Sequence, residues 1–242
     1  MMKLDRIPTA PPKRWTKAKA DRGLGHLHKE LFELQNKFYA DGRHALLIII
    51  QGVDTSGKDG VIRHALMCMN PLGVHARSFQ KPTLEESKHD FLWRVYPHLP
   101  AKGMIQVFNR SYYEDVVVPS VARNITKAER KHRYALINTL EKHWERSRIH
   151  VLKFYLHINK EEQRENIKAR KKDPAKKWKF DKADDKAAKQ WDRYQEAFDG
   201  MISNCSAVKW NIIPSGKPWY RNFKVAEIVR DHLLSLQSKY PA

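Results

Sequence analysis

Nine consecutive residues, Gly52-Val53-Asp54-Thr55-Ser56-Gly57-Lys58-Asp59-Gly60, have the types and spacing of an oxyanion-binding loop. Its glycines let the backbone turn N–H groups inward around a phosphate, and a helix start just beyond adds partial positive charge. Gly52, four intervening residues, Gly57 and Lys58 satisfy G-x-x-x-x-G-K, in which the lysine reaches a terminal phosphate. Asp59 stands where a serine or threonine ordinarily offers a hydroxyl to magnesium. Gly52, Thr55, Ser56, Gly57, Lys58, Asp59 and Gly60 are therefore candidate phosphate contacts. An ordinary glycine-rich turn is the plain alternative, and the lysine and the apolar run before the loop argue against it.

A second group of candidates leaves the apolar run Met104-Ile105-Gln106-Val107-Phe108 as Asn109-Arg110-Ser111-Tyr112-Tyr113-Glu114-Asp115. Many phosphate-loop enzymes hold magnesium with an aspartate at this strand end. Asn109 is neutral, so the metal charge must be met elsewhere, with Asp54 and Asp115 the available carboxylates. Asp54, Asn109 and Asp115 form the candidate set for Mg²⁺, which prefers one or two carboxylates with phosphate oxygens and water. Farther on, Lys168 to Lys182 holds eight basic residues and two acids. A solvated charged face is its bland reading. In a kinase-like fold it becomes a lid over the loop, from which Arg170 neutralises charge on a transferring phosphoryl group. The 12 histidines are scattered without metal-ligand spacing, and there is no G-x-S-x-G elbow or catalytic Cys/His pairing.

Strands alternating with helices must position these groups. Residues 1–20, with Pro8, Pro11 and Pro12 among lysines, read as an extended arm. Leu24, Leu27, Leu31, Leu34 and Phe38 give an amphipathic helix over 21–39 that caps the core or pairs subunits, and a homo-oligomer, dimer or tetramer, is expected. Strands are expected at 45–50, 74–79, 104–108, 149–158 and 208–213. Helices are expected from Lys58 to Asn70, from Leu84 to about Tyr96, after Thr126, over 160–172, over 184–204 and over 219–236. Trp93, Trp178, Trp191 and Trp219 read as packing residues. The pattern implies a mostly parallel sheet covered on both faces, with ligands beyond the C-terminal strand ends. A kinase domain over 21–242 with a lid at about 160–195 follows.

Composition narrows the partners. The formal charge of +19 over 242 residues implies a polyanion. Cys68 and Cys205 make no disulfide framework or metal pair and fit a reducing, cytoplasmic setting. The longest apolar run, Ala45 to Ile50, is far too short to span a bilayer, so no membrane partner is expected.

The loop resembles the G-x-D-x-x-G-K-x-G motif of family-2 polyphosphate kinases. The likeness continues through Pro82-Thr83-Leu84-Glu85-Glu86, His89-Asp90-Phe91-Leu92-Trp93-Arg94 and Phe108 to Asp115. It then takes in Lys160-Glu161-Glu162-Gln163, Arg170, Asp173-Pro174, Lys176, Trp178-Lys179 and Trp219-Tyr220-Arg221-Asn222, covering roughly residues 20–240. It implies a three-layer α/β/α phosphate-loop kinase fold, thymidylate-kinase-like, with a helical lid. It also implies Mg²⁺-dependent phosphoryl transfer between inorganic polyphosphate and a nucleotide. Asp54 would position metal and the attacking oxygen, Lys58 would grip donor phosphates, and Arg110 and Arg170 would stabilise the transferring group. Lys81, Arg94 and Lys171 would be further phosphate contacts. Asn109 with Glu114-Asp115 looks like the subgroup that accepts nucleoside mono- and diphosphates, with Asp115 as the compensating carboxylate. Ser120 and Asn166 stand where members usually carry arginine, so two phosphate contacts are expected to be missing or moved to Arg123 or Lys168. Polyphosphate carries about one negative charge per internal phosphate, which accounts for the basic excess without a nucleic-acid partner. Two rivals stay open: an ATP-dependent nucleoside or nucleotide kinase on the same fold, and a basic nucleic-acid-binding protein.

Overall fold

The computed structural model describes residues 3–174 and 188–241 of the chain. Strands β1 (Ala45–Gln51), β2 (Val74–Ser78), β3 (Ile105–Asn109), β4 (Ile149–His157) and β5 (Trp210–Pro214) form one sheet ordered β2-β3-β1-β4-β5. Every pairing in it is parallel. Helices α1 (Lys17–Asp41), α2 (Lys58–Val61), α3 (Glu114–Ala122), α4 (Lys127–Arg146), α5 (Lys160–Lys172), α6 (Trp191–Asn204) and α7 (Pro218–Ser235) are placed around it.

The central strand β1 is buried at every position, and its alternate side chains enter two separate cores. Leu47 and Ile49 meet Phe108, Val117, Ile137 and Phe198, from β3, α3, α4 and α6. Leu46, Ile48 and Ile50 meet Leu31, Phe38, Val225 and Val229, from α1 and α7. This is the expected three-layer α/β/α architecture. The stripe on α1 therefore caps the core, while Phe32 and Tyr39 on the same helix are exposed. None of the described helices is long and apolar enough to cross a membrane.

Three local expectations differ from the fold. The first concerns residues 1–20, read as an arm apart from the core: Leu4 is fully buried, and α1 already starts at Lys17, capped by Thr16. Leu4 N donates to Asp199 at 2.9 Å, a His157 ring nitrogen meets the Ile7 carbonyl at 3.0 Å, and Gly216 N donates to the Thr9 carbonyl at 3.0 Å. After a 3₁₀ turn at Leu4–Arg6, the prolines keep the chain out of regular structure, which leaves the Ile7 and Thr9 carbonyls free to bind groups at the ends of β4 and β5.

The second is the helix expected over 84–96, which is replaced by turns and two 3₁₀ segments, Glu86–Lys88 and Tyr96–His98. Thr83 and Glu86 exchange capping bonds, but the Asp90 carboxylate then accepts from Leu92 N at 2.9 Å, a side-chain turn that competes with helix. Trp93, expected to pack, is instead 47% exposed and stacks on His89. The third is the helix expected over 58–70: α2 makes one turn and widens into a π turn at Ile62–Leu66.

A fully buried ion pair fixes the β3–α3 connection. Lys153 Nζ on β4 donates to Glu141 Oε2 on α4 at 2.7 Å and to the Tyr113 hydroxyl at 2.9 Å. Tyr112 and Tyr113 hydroxyls donate to Glu141 Oε1 at 2.8 and 2.5 Å. Burial raises both tyrosine pKa values, and the neighbouring Glu141 charge raises them further. Glu141→Ala leaves a buried ammonium unpaired and two phenols without an acceptor. The expected loss of unfolding free energy is about 3–5 kcal/mol, read from the urea midpoint. A loss under about 1 kcal/mol would show that water or a rearranged neighbour replaces the carboxylate.

Candidate active site

The loop leaves β1 at the point where β3 and β4 flank it, level with Asn109 through the Ile50↔Asn109 register. A Cβ at Gly52 would lie 2.8 Å from the Leu156 carbonyl, so the loop runs tight against β4. Gly57 has φ 97°, in the left-handed region. Thr55 has φ 67°, which is costly for a β-branched residue, and its Oγ1 is buried without a partner, as is Ser56 Oγ. Both hydroxyls are donors that an oxyanion satisfies. Lys58 is 8% exposed, and its Nζ donates to the Gly52 and Val53 carbonyls at 2.8 and 3.1 Å. Burial, with the Arg110 charge, lowers its pKa to about 8 despite Asp54, Glu114 and Asp59 nearby.

Arg110 meets this loop from the end of β3. Its guanidinium pairs with Asp54, and its N–H donates to the Ile50 carbonyl at 3.0 Å. Arg110 is itself left-handed at φ 62°, so strained backbone sits on both sides of the ion pair. Burial pushes the Asp54 carboxyl up, but Lys58 and Arg110 outweigh it and hold it below the usual carboxylate value; the Arg170 charge adds to them. Arg170, in the last turn of α5, is thereby placed within electrostatic reach of Asp54. Asn109 Nδ2 donates to Asp59 Oδ1 at 2.8 Å, joining the strand end to the loop helix.

Of the two acids that open α3, Glu114 is the one facing this cluster. Burial raises its pKa against the pull of Arg110 and Lys58. With its amide oxygen toward Ser111, Gln51 donates to Glu114 Oε1 at 2.9 Å. Asp115 turns away, to Arg94 Nη2 at 2.9 Å, and Arg94 also donates to the Gln80 carbonyl at 2.8 Å. Burial raises the Asp115 pKa, with Arg94 opposing.

The fold thus gathers Asp54, Lys58, Asp59, Asn109, Arg110 and Arg170, and separates Asp115 and Arg94 into a neighbouring pair. Lys81 is exposed beyond β2, and Lys171 is exposed at the end of α5. Lys176, Lys177, Trp178, Lys179 and Lys182 of the expected lid lie outside the described residues. Ser120 donates back to the Val116 carbonyl at 2.7 Å within α3, whereas Asn166 donates to the Thr55 carbonyl at 3.2 Å. Gln163 Nε2 donates to the Asp54 carbonyl at 3.2 Å, so α5 braces the loop from one side. Sequence reasoning missed the roles of Glu114 and Gln163, whose position inside the recognised motifs was the available signal, and the support from Asn166.

Among the described residues no three carboxylate, histidine or cysteine groups stand ready to hold a metal ion by themselves. One or two carboxylates beside a phosphate loop do fit magnesium, which keeps phosphate and water ligands. Asp54 and Glu114, close enough to feel each other's charge, have the donor chemistry for this role, with the Asn109 carbonyl as a neutral third.

The comparisons agree with this geometry. The family model for Polyphosphate kinase 2 matches residues 14–240. An AMP/ADP-polyphosphate phosphotransferase of Meiothermus ruber is 40% identical over 227 residues, covering 93% of this chain and 85% of the relative. An ADP-polyphosphate phosphotransferase of Rhodopseudomonas palustris is 38% identical, covering 88% and 78%. The crystal structure of polyphosphate kinase 2 from Arthrobacter aurescens TC1 superposes with a TM-score of 0.95 at 35% identity, covering 100% of this chain and 88% of that one. With a matching sequence profile, relatives matched over most of their length and a superposable fold, the chain belongs to the polyphosphate kinase 2 family.

Proposed function

We propose that this protein transfers phosphoryl groups between inorganic polyphosphate and AMP or ADP, making ADP and ATP, with Mg²⁺. The observation that carries the reading is the Asp54–Arg110 pair set against the Lys58 ammonium at the mouth of the phosphate loop. Phosphoryl transfer asks little covalent chemistry of side chains; positioning and charge neutralisation perform it. The loop N–H groups and Lys58 hold the donor phosphates. Arg110 and Arg170 neutralise the oxygens of the transferring group, and Asp54 orients Arg110 and the incoming phosphate. Held by Asp54 and Glu114 together with phosphate oxygens and water, Mg²⁺ would supply further neutralisation of phosphate charge. The basic surface draws the chain in from a distance, in a salt-sensitive way. We further take the protein to be cytoplasmic and a homo-oligomer, supported by two free cysteines and by the exposed Phe32 and Tyr39 of α1.

Purified protein with polyphosphate and Mg²⁺ should convert AMP and ADP, assayed separately. Failure on both, with phosphorylation of a nucleoside from ATP, would favour the ATP-dependent kinase. Tight nucleic-acid binding at moderate salt, unaffected by Lys58→Ala, would favour the nucleic-acid-binding protein.

Two finer outcomes follow. In the free protein Lys58 carries its charge below about pH 8 and loses it above. Above that pH, kcat/KM for polyphosphate should fall by up to about tenfold per pH unit, because binding must then take up a proton. Bound phosphate raises the lysine pKa, so kcat should hold to higher pH. A kcat/KM flat from pH 8 to 10 would separate Lys58 charge from binding. Asp115→Asn loosens Arg94 and the Gln80 segment that it holds. Use of AMP should then weaken more than use of ADP, since a monophosphate has fewer oxygens to anchor it; equal losses would count against the assignment.

A further inference from the structure

Arg221 stands in the first turn of α7, is 6% exposed, and lies against the phosphate loop. Its Nη1 donates to the Ser56 carbonyl at 3.0 Å, and its Nε donates to Asn222 Oδ1 at 3.4 Å. A loop that turns N–H groups inward turns carbonyls outward, so the guanidinium is on the far side of the loop from the anion. It packs there without slack. A Cβ on Gly57 would overlap it, and one on Gly60 would come within 3.0 Å of Nη2. One layer of peptide thus separates a buried cation from the phosphate position.

Of the buried cations nearby, Arg94 pairs with Asp115 and Lys153 with Glu141, while Lys58, bonded to two carbonyls, still has the charges of Asp54, Glu114 and Asp59 beside it. Among the described residues no carboxylate pairs with Arg221; its hydrogen-bond acceptors are one carbonyl and one amide. Burial alone acts on its pKa, lowering it to about 10. A buried charge without an opposite charge is unfavourable, and a protein keeps one where something else completes it.

We propose that Arg221 is a positioning residue for phosphoryl transfer: it clamps the loop from behind, and the bound phosphate chain is its counter-ion. This rests on the proposed phosphate-binding role of the loop and adds a residue on the opposite side of it.

The test uses the full chain, with tripolyphosphate as the binding probe. Asn222→Asp is nearly isosteric and gives Arg221 a carboxylate of its own. The free protein should then be at least as heat-stable as wild type, while tripolyphosphate affinity falls and KM for polyphosphate rises, each by about tenfold. KM for ADP should stay within about twofold, because the acceptor does not share this counter-charge. Arg221→Met should show the same KM pattern, and Arg221→Lys, which keeps the charge, should restore affinity to within about threefold of wild type. If Arg221→Met does not fold, Asn222→Asp decides alone. Wild-type affinity and KM in Asn222→Asp would overturn the proposal, whatever happened to thermal stability. A wild-type protein that tripolyphosphate does not stabilise would overturn the phosphate-binding reading itself, and the role of Arg221 with it.

Discussion

Lys58→Ala is expected to lower polyphosphate-dependent turnover by about three orders of magnitude, equivalent to about 4 kcal/mol of transition-state stabilisation. Lys58 is the buried cation of the loop, held on the Gly52 and Val53 carbonyls where it can follow charge that moves onto a departing phosphate. Its low exposure makes each unit of charge count for more than it would in water. The same burial opposes its charge in the empty loop, so its removal should cost little stability. A thermal midpoint close to wild type beside the lost turnover is the expected pair of results. Turnover within tenfold of wild type would remove Lys58 from the chemistry, and unfolding would make it a structural residue instead.

The second large effect is Asp54→Ala, with a loss of similar size, about three orders of magnitude. Asp54 holds Arg110 at a left-handed position and offers a carboxylate ionised well into the acidic range. Its removal leaves Arg110 without a partner and takes one carboxylate from the proposed metal set. Asp54→Asn separates these roles. It keeps the shape and a hydrogen-bond acceptor for Arg110 but loses the charge, so turnover as low as in Asp54→Ala points to metal or phosphate positioning. Recovery of more than about tenfold would point to orientation of Arg110. Near-normal turnover in both variants would exclude Asp54 from the mechanism.

The phosphate loop was legible because its requirements are local. Gly52, Gly57 and Lys58 sit within seven consecutive positions, and the β1 run before them is apolar at every residue from Ala45 to Ile50. Asn109 and Arg110 were legible for the same reason, as the residues that leave a buried strand. The roles of Glu114 and Asp115 were not. Adjacent residues on a helix point about 100° apart, so the one that faces the loop depends on how α3 is rotated. That rotation is set by Tyr112 and Tyr113, anchored on Glu141 and Lys153 from two other elements. The helix expected over 84–96 failed on a similarly small matter, because the Asp90 side chain supplied a turn bond in place of a helical one.

By itself, then, the chain's sequence determined the alternation of strands and helices, the oxyanion-binding turn and the anionic character of its partner. Each of these follows from side-chain periodicity or from conformations that a few neighbouring residues impose on one backbone segment. Only the tertiary structure decided that Asp54 pairs with Arg110 across 56 positions, that Asp115 belongs to Arg94, and that Arg221 reaches Ser56 across 165. Those pairings depend on which strands lie side by side and how helices seat in two cores, a balance of burial and charge that no short stretch of sequence contains.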